Sequence, residues 1–230
     1  MDAKVTENYD RFYRERDPVH VYPVEFVVRA FLGTYPRHKT NPRSYSGKNV
    51  LDIGFGDGRN MPLLYNLGMQ VYGVEISEDI CNRTKARLSR LGIQADLRVG
   101  RNSSLPFDDR AFDTVLSCHS CYYVDLDQRF SDNIAEIARV LKPGGSFIFS
   151  APKASTYILR DGIDRGDGHI EITSDPYGIR NGVVMKKFDA ERDIALALSP
   201  GFTNFAIGSC QNDFWGIEEH VWVVVATKAI

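Results

Sequence analysis

Cysteine is scarce and scattered in this chain. Four of 230 residues, Cys81, Cys118, Cys121 and Cys210, are too few and too dispersed for a disulfide framework and suit a reducing cytosol. An excess of one charge is also lacking. With 28 Lys and Arg against 30 Asp and Glu the formal net charge is -2, so there is no bulk attraction to nucleic acid or an anionic membrane. No stretch has the length and apolarity of a membrane span. The opening Met1-Asp2-Ala3-Lys4-Val5 has no apolar centre of the kind a secretory signal needs, so a cytoplasmic location is expected. Internal repeats and low-complexity tracts are missing too. What is left, 43% hydrophobic and 25% charged, is an ordinary globule whose length fits one domain over 1–230.

One stretch stands out. The apolar run Asn49-Val50-Leu51-Asp52-Ile53 leads into Gly54-Phe55-Gly56-Asp57-Gly58-Arg59-Asn60, and a helical pattern follows. That reads as strand, tight loop, helix. Glycine lets the backbone turn sharply and come close to a ligand. A second apolar run, Val71-Tyr72-Gly73-Val74, ends in Glu75, a carboxylate at the tip of the next strand that can accept both ribose hydroxyls. A dinucleotide loop needs G-x-G-x-x-G, but Arg59 stands where its third glycine belongs. Asp52 would repel a diphosphate and suits a cationic amino group.

The stretch resembles the first motif of class I S-adenosylmethionine-dependent methyltransferases. Gly73-Val74-Glu75-Ile76-Ser77 is similar to the second. Leu105-Pro106-Phe107 with Ala111-Phe112-Asp113-Thr114-Val115-Leu116, and Arg139-Val140-Leu141-Lys142-Pro143-Gly144-Gly145, continue the series over about residues 45–152. The resemblance implies S-adenosylmethionine as cofactor. Its methionine end would lie on Asp52, Gly54, Gly56 and Gly58, its ribose on Glu75 and its adenine face on Ile76. The family's acidic residue for the adenine amino group falls at Arg101. Arginine cannot accept a hydrogen bond, so recognition passes to Asn102, Ser103 or backbone groups, unless Arg101 stacks on the purine.

In chain order, residues 6–16 read as a helix with Thr6 as a possible cap, ended by Pro18. Its face of Tyr9, Phe12 and Tyr13 either packs on the domain or, as the resemblance implies, closes as a lid over the cofactor. Residues 19–35 read as a second helix with a stripe of Val24, Val27, Val28, Phe31 and Leu32, and 36–48 as a polar, basic loop. Strands are expected at 49–54, 70–75, 94–99, 111–117 and 145–151, with helices at 59–68, 77–92 and about 127–141 between them. Such alternation predicts an α/β fold, a doubly wound, mostly parallel seven-stranded Rossmann-like sheet with N-terminal helices over 1–45. Residues 153–188 break the pattern as an insertion after the fifth strand. A helix capped by Asp189 follows over 189–199, then an antiparallel pair at 202–209 and 219–227.

Topology places Ser117-Cys118-His119-Ser120-Cys121-Tyr122-Tyr123 at the carboxyl edge of the sheet, beside the cofactor. His119 is a candidate general base, or it packs on the cofactor; Ser117 is a candidate cofactor contact; Tyr122 and Tyr123 are candidates for the substrate pocket. The Cys118/Cys121 pair lacks the second pair a structural zinc wants, so no metal is expected. His169, in the acidic insertion with Asp164, Asp167 and Glu171, is a second candidate base, because family insertions at this place cap the active site. The Asn/Asp-Pro-Pro-Tyr/Phe pattern of DNA amino-methyltransferases is absent after the fourth strand. The expectation is methyl transfer to a small molecule, at oxygen or nitrogen. A methyltransferase-like binding subunit and a nicotinamide-dependent oxidoreductase are the alternatives, and the oligomeric state is open.

Overall fold

The computed structural model describes residues 3–16, 20–38, 44–125 and 127–230. The expected stop at Pro18 lies outside them. Seven strands form one sheet in the order β10-β11-β6-β4-β1-β2-β3. They are β1 (Asn49–Ile53), β2 (Gln70–Glu75), β3 (Ala95–Val99), β4 (Phe112–Ser117), β6 (Leu141–Pro152), β10 (Phe202–Phe214) and β11 (Ile217–Lys228). The first five pair in parallel, whereas β11 is antiparallel to both β6 and β10.

Central strands read as unbroken apolar runs because helices cover both faces. Alternation then sorts their side chains. Leu51, Ile53, Val115, Phe147 and Phe149 join the core under α5 (Phe130–Val140) and α6 (Glu191–Leu198). Val50, Leu116 and Ile148 join the opposite core with α2 (Glu25–Leu32), α3 (Met61–Asn66) and α4 (Glu78–Arg90). Each fully buried Leu, Ile or Phe contributes about 1.5–3 kcal/mol. The two cores clamp β1 between them, which fixes the loop that follows it.

Several boundaries differ from expectation. Helix α1 runs over Ala3–Glu15, so Thr6 lies inside it. α2 spans only Glu25–Leu32, because Pro23 keeps its predecessor extended and Gly33 ends the helix; Leu32 is exposed. α6 starts at Glu191, with Asp193 accepting the Ala190 N–H at 2.9 Å, while Asp189 pairs with Lys187 at 2.7 Å. The helix-stop sequence 142–145 is a bulge inside β6: Leu141 pairs with Phe112, then the register shifts so that Ser146 pairs with Thr114. The final hairpin is longer than expected and turns at Trp215 and Gly216, both at positive φ.

The insertion folds into a second sheet. Strands β7 (Ile163–Asp164), β8 (His169–Glu171) and β9 (Val184–Lys186) are joined by β5 (Tyr123–Val124), in the order β5-β9-β8-β7. Its edge strand therefore comes from the loop after β4 and not from the insertion. Ile170, Val183 and Met185 seat this sheet on the α5 core.

Candidate functional site

Where β1 lies between β2 and β4, the loops leaving β1 and β4 part to opposite sides and open a crevice. A cavity of about 290 Å³ fills it. Its floor is Ile53, Gly54 and Phe55 from the β1 loop with Val74, Glu75 and Ile76 from β2. Tyr9, Phe12 and Tyr13 of α1 line it, and Tyr9 and Tyr13 also pack on the cores, so this face both rests on the domain and borders the cavity.

The loop after β1 keeps its shape through left-handed glycines, with φ of 65° at Gly54, 54° at Gly56 and 72° at Gly58. A Cβ on Gly54 would come within 2.2 Å of the Ser120 hydroxyl, and one on Gly56 within 2.2 Å of the Tyr13 hydroxyl. At Gly58 it would meet the Thr84 methyl at 2.6 Å, so this glycine lets α4 pack against the loop. Gly54 lines the cavity; Gly56 and Gly58 sit behind it.

Glu75 turns back onto that loop. Its Oε1 accepts the Gly56 N–H at 3.1 Å and its Oε2 the Ile76 N–H at 2.7 Å. Burial pushes its pKa up to about 7, against the lowering effect of those two N–H groups. Each oxygen keeps a lone pair for a further donor, which fits a ribose diol. Asp52 is fully buried, and among the described residues neither of its carboxylate oxygens has a partner. Burial, then Glu75 and Asp57, hold its pKa well above the ordinary range. Asp52 does not line the cavity, so the structure does not bring this expected cofactor carboxylate to the ligand space. The donor set and the glycine bend together fit S-adenosylmethionine.

Arg101 lines the rim and pairs with Asp125 at 3.2 Å. The Asn102 amide donates to the carbonyls of Ser120 and Tyr123 at 3.0 and 3.1 Å, tying the third-strand loop to the β4 loop. Ser103 does not reach the cavity; it sits in the tight turn closed by Arg101 and Ser104. Ser117 is buried and spends its hydroxyl on the Cys121 N–H at 2.7 Å, so its place is to shape the loop.

His119 lines the cavity at a φ of 57°, rare for a residue with a side chain. Its N–H donates to the Ser150 hydroxyl at 2.9 Å, and its ring meets Phe26 edge-on at 5.9 Å. Burial lowers its pKa, only partly opposed by Glu219, which keeps the ring neutral and able to take a proton. Tyr123 lines the cavity and accepts from the Tyr9 hydroxyl at 3.0 Å. Tyr122 is core, stacked on Tyr123 at 5.0 Å, and not a pocket residue. His169 lies on β8 away from the cavity, its Nδ1 3.3 Å from the Gly166 carbonyl, so the structure does not bring it to the site as a second base. The acidic residues around it are paired, Glu171 with Arg165 and Asp167 with Lys186. Cys118 and Cys121 are free thiols, and the described residues hold no group of three His, Cys, Asp or Glu placed for a metal.

Sequence reasoning missed Asn60, Ile179 and Arg180, all cavity residues. Asn60 accepts the Val24 N–H at 3.1 Å and so pins α2 to the glycine loop. Arg180 follows Asp175-Pro176-Tyr177-Gly178, a turn sequence that could have marked it as a presented side chain.

Residues 51–149 match the family model described as a methyltransferase domain. The chain is 30% identical over 112 residues to a probable S-adenosylmethionine-dependent methyltransferase of Mycolicibacterium smegmatis, covering 49% of this chain and 41% of that protein. It is 32% identical over 170 residues to the 24-methylenesterol C-methyltransferase 2 of Oryza sativa subsp. japonica, covering 68% and 42%. The chain thus spans about two fifths of the length of these curated relatives. A solved S-adenosylmethionine-dependent methyltransferase from Methanosarcina mazei shares the fold at a TM-score of 0.66, with 22% identity over 86% of this chain and 99% of that one. Among the described residues, no helix is long and apolar enough to cross a membrane. The family match lies on the strands and loops that build the crevice, so residues 51–149 form a methyltransferase domain of the S-adenosylmethionine-dependent kind.

Proposed function

We propose that this protein transfers a methyl group from S-adenosylmethionine to a small-molecule acceptor, at oxygen or nitrogen. One observation carries the reading: a single cavity holds Glu75 and the glycine bend together with His119, a neutral, half-buried imidazole. The cofactor, when bound, supplies a methyl on an electrophilic sulfonium. In this reading Glu75 holds the ribose hydroxyls, Gly54 receives the amino-acid end, and Ile76 and Asn102 bound the adenine. The chain's remaining work is alignment, since a nucleophile held at near-attack distance gains several kcal/mol of barrier lowering, on the order of 7–11 at best. The cover formed by α1 excludes water. For a hydroxyl acceptor, His119 takes the proton; for a neutral amine, positioning suffices.

Titration calorimetry with S-adenosylmethionine and its demethylated product tests the first half. Saturable binding of both is expected, and no heat at millimolar ligand would end the reading. Screening metabolite extracts for demethylated cofactor then finds the acceptor. With a hydroxyl acceptor in hand, His119→Asn is expected to lower turnover by about 10²–10⁴ while cofactor affinity holds.

A further inference from the structure

One wall of the cavity belongs to the insertion, and its chemistry is selective. Asp175 is the organiser: its side chain is fully enclosed and accepts the N–H groups of Tyr177, Ile179 and Arg180 at 3.1, 3.0 and 2.9 Å. It also takes the Nε of Arg180 at 3.1 Å, which orients the guanidinium. Arg180 lines the cavity together with Tyr9 and Tyr123. Tyr157 hydrogen-bonds the same guanidinium.

We infer that the methyl acceptor is an organic carboxylate, its carboxyl group held by the guanidinium of Arg180 and the hydroxyl of Tyr123. This rests on the methyl-transfer reading above and names its substrate class. The guanidinium carries five N–H donors, more than Asp175 and Tyr157 use. Burial works against its charge, yet the oxygens of Tyr123, Tyr9, Tyr157 and Asp175 hold its pKa above the ordinary value. Burial also raises the Tyr9 pKa, so that hydroxyl keeps its proton and donates it to Tyr123, which leaves the Tyr123 proton for the ligand. The other arginines of the cavity are engaged elsewhere, Arg59 by both oxygens of Asp57 at 3.0 and 2.6 Å and Arg101 by Asp125.

Charge decides between anions. Asp175 already offsets one positive charge, and no second cation of the insertion reaches the cavity. A planar carboxylate can still take paired N–H donors and leaves one charge to be met by hydrogen bonds; a phosphate dianion would leave two. His119 lies within the electrostatic reach of Arg180, which lowers its pKa after burial. The anchor and the candidate base line the same cavity.

The test compares 4-hydroxybenzoate, 4-hydroxybenzamide and 4-hydroxyphenyl phosphate by calorimetry on protein saturated with S-adenosylhomocysteine. The carboxylate is expected to bind about tenfold or more tighter than the amide, and tighter than the phosphate ester. Arg180→Met should erase the carboxylate preference, and Arg180→Lys should keep part of it. Asp175 retains three backbone N–H partners in both variants, and affinity for S-adenosylhomocysteine, unchanged, reports intact folding. Equal binding of carboxylate and amide to the native protein, a preference that survives Arg180→Met, or a phosphate ester that binds best would each overturn the inference. If S-adenosylhomocysteine itself fails to bind, the methyl-donor reading falls. The same titrations without it then judge the Arg180 site by itself.

Discussion

At the scale of single residues, two neighbouring carboxyl groups are treated differently by their surroundings. Glu75 is held by two backbone N–H groups and keeps its proton to about pH 7, whereas Asp52 has no partner among the described residues. Ribose hydroxyls donate best to an ionised carboxylate. Cofactor affinity is therefore expected to rise between about pH 6 and about pH 8, with proton release, as calorimetry in two buffers would show. Glu75→Gln should flatten that rise and weaken binding by about 1–3 kcal/mol. Gly56 makes a second case. Its missing Cβ leaves room for the Tyr13 hydroxyl, so Gly56→Val would unseat the cover and strain a left-handed residue by about 1–2 kcal/mol. A lower melting temperature and lost cofactor binding should appear together; a variant with native affinity would show that Tyr13 is not needed there.

At the scale of elements, α1 is attached by few bonds. Tyr9 reaches Tyr123 at 3.0 Å, Asp10 bonds Ser77, and Arg14 approaches Asp79 at 3.5 Å. An element tied through half-buried and exposed side chains opens at lower free energy than the core strands. Tyr9→Phe should remove about 0.5–1.5 kcal/mol and speed amide exchange in α1 while leaving β1 and β4 protected. Unchanged exchange would mean that Val5 and the aromatic face, not the hydroxyl pair, hold the helix down. The parallel core was legible from sequence because unbroken apolar strands alternate with helix-length crossovers, and β2 begins and ends where its residues predict. The small sheet was not. Two-residue strands such as β5 and β7 carry no periodicity, and Tyr123-Val124 pairs with Val184-Met185 some sixty positions away. Likewise the β1 glycines and Glu75 announced themselves by spacing, whereas Arg180 reaches the cavity only through a fold of the insertion that local sequence does not encode.

At the scale of the molecule, buried titratable groups set how stability follows pH. Glu75 holds its proton more tightly folded than unfolded, so between its ordinary value of 4.5 and about 7 folding takes up a proton, and stability falls as pH rises. Asp52, raised as well, acts in the same sense. His119 acts oppositely: lowered from 6.5, it resists charging, so stability is lost as pH falls below that value. Melting curves of the ligand-free protein should decline from about pH 5 to about pH 7, and Glu75→Gln should shrink that decline; a slope identical in the variant would assign it elsewhere.

The two sheets are not independent modules. Because β5 springs directly from the loop bearing His119 and supplies the edge to which β9 bonds, residues 169–186 hang from the wall of the cavity. Anyone seeking to retarget this scaffold by transplanting a foreign 153–188 segment would have to transplant a matching 122–125 with it. In natural divergence the same linkage means that changes in the 153–188 segment and changes beside His119 must be inherited as a pair.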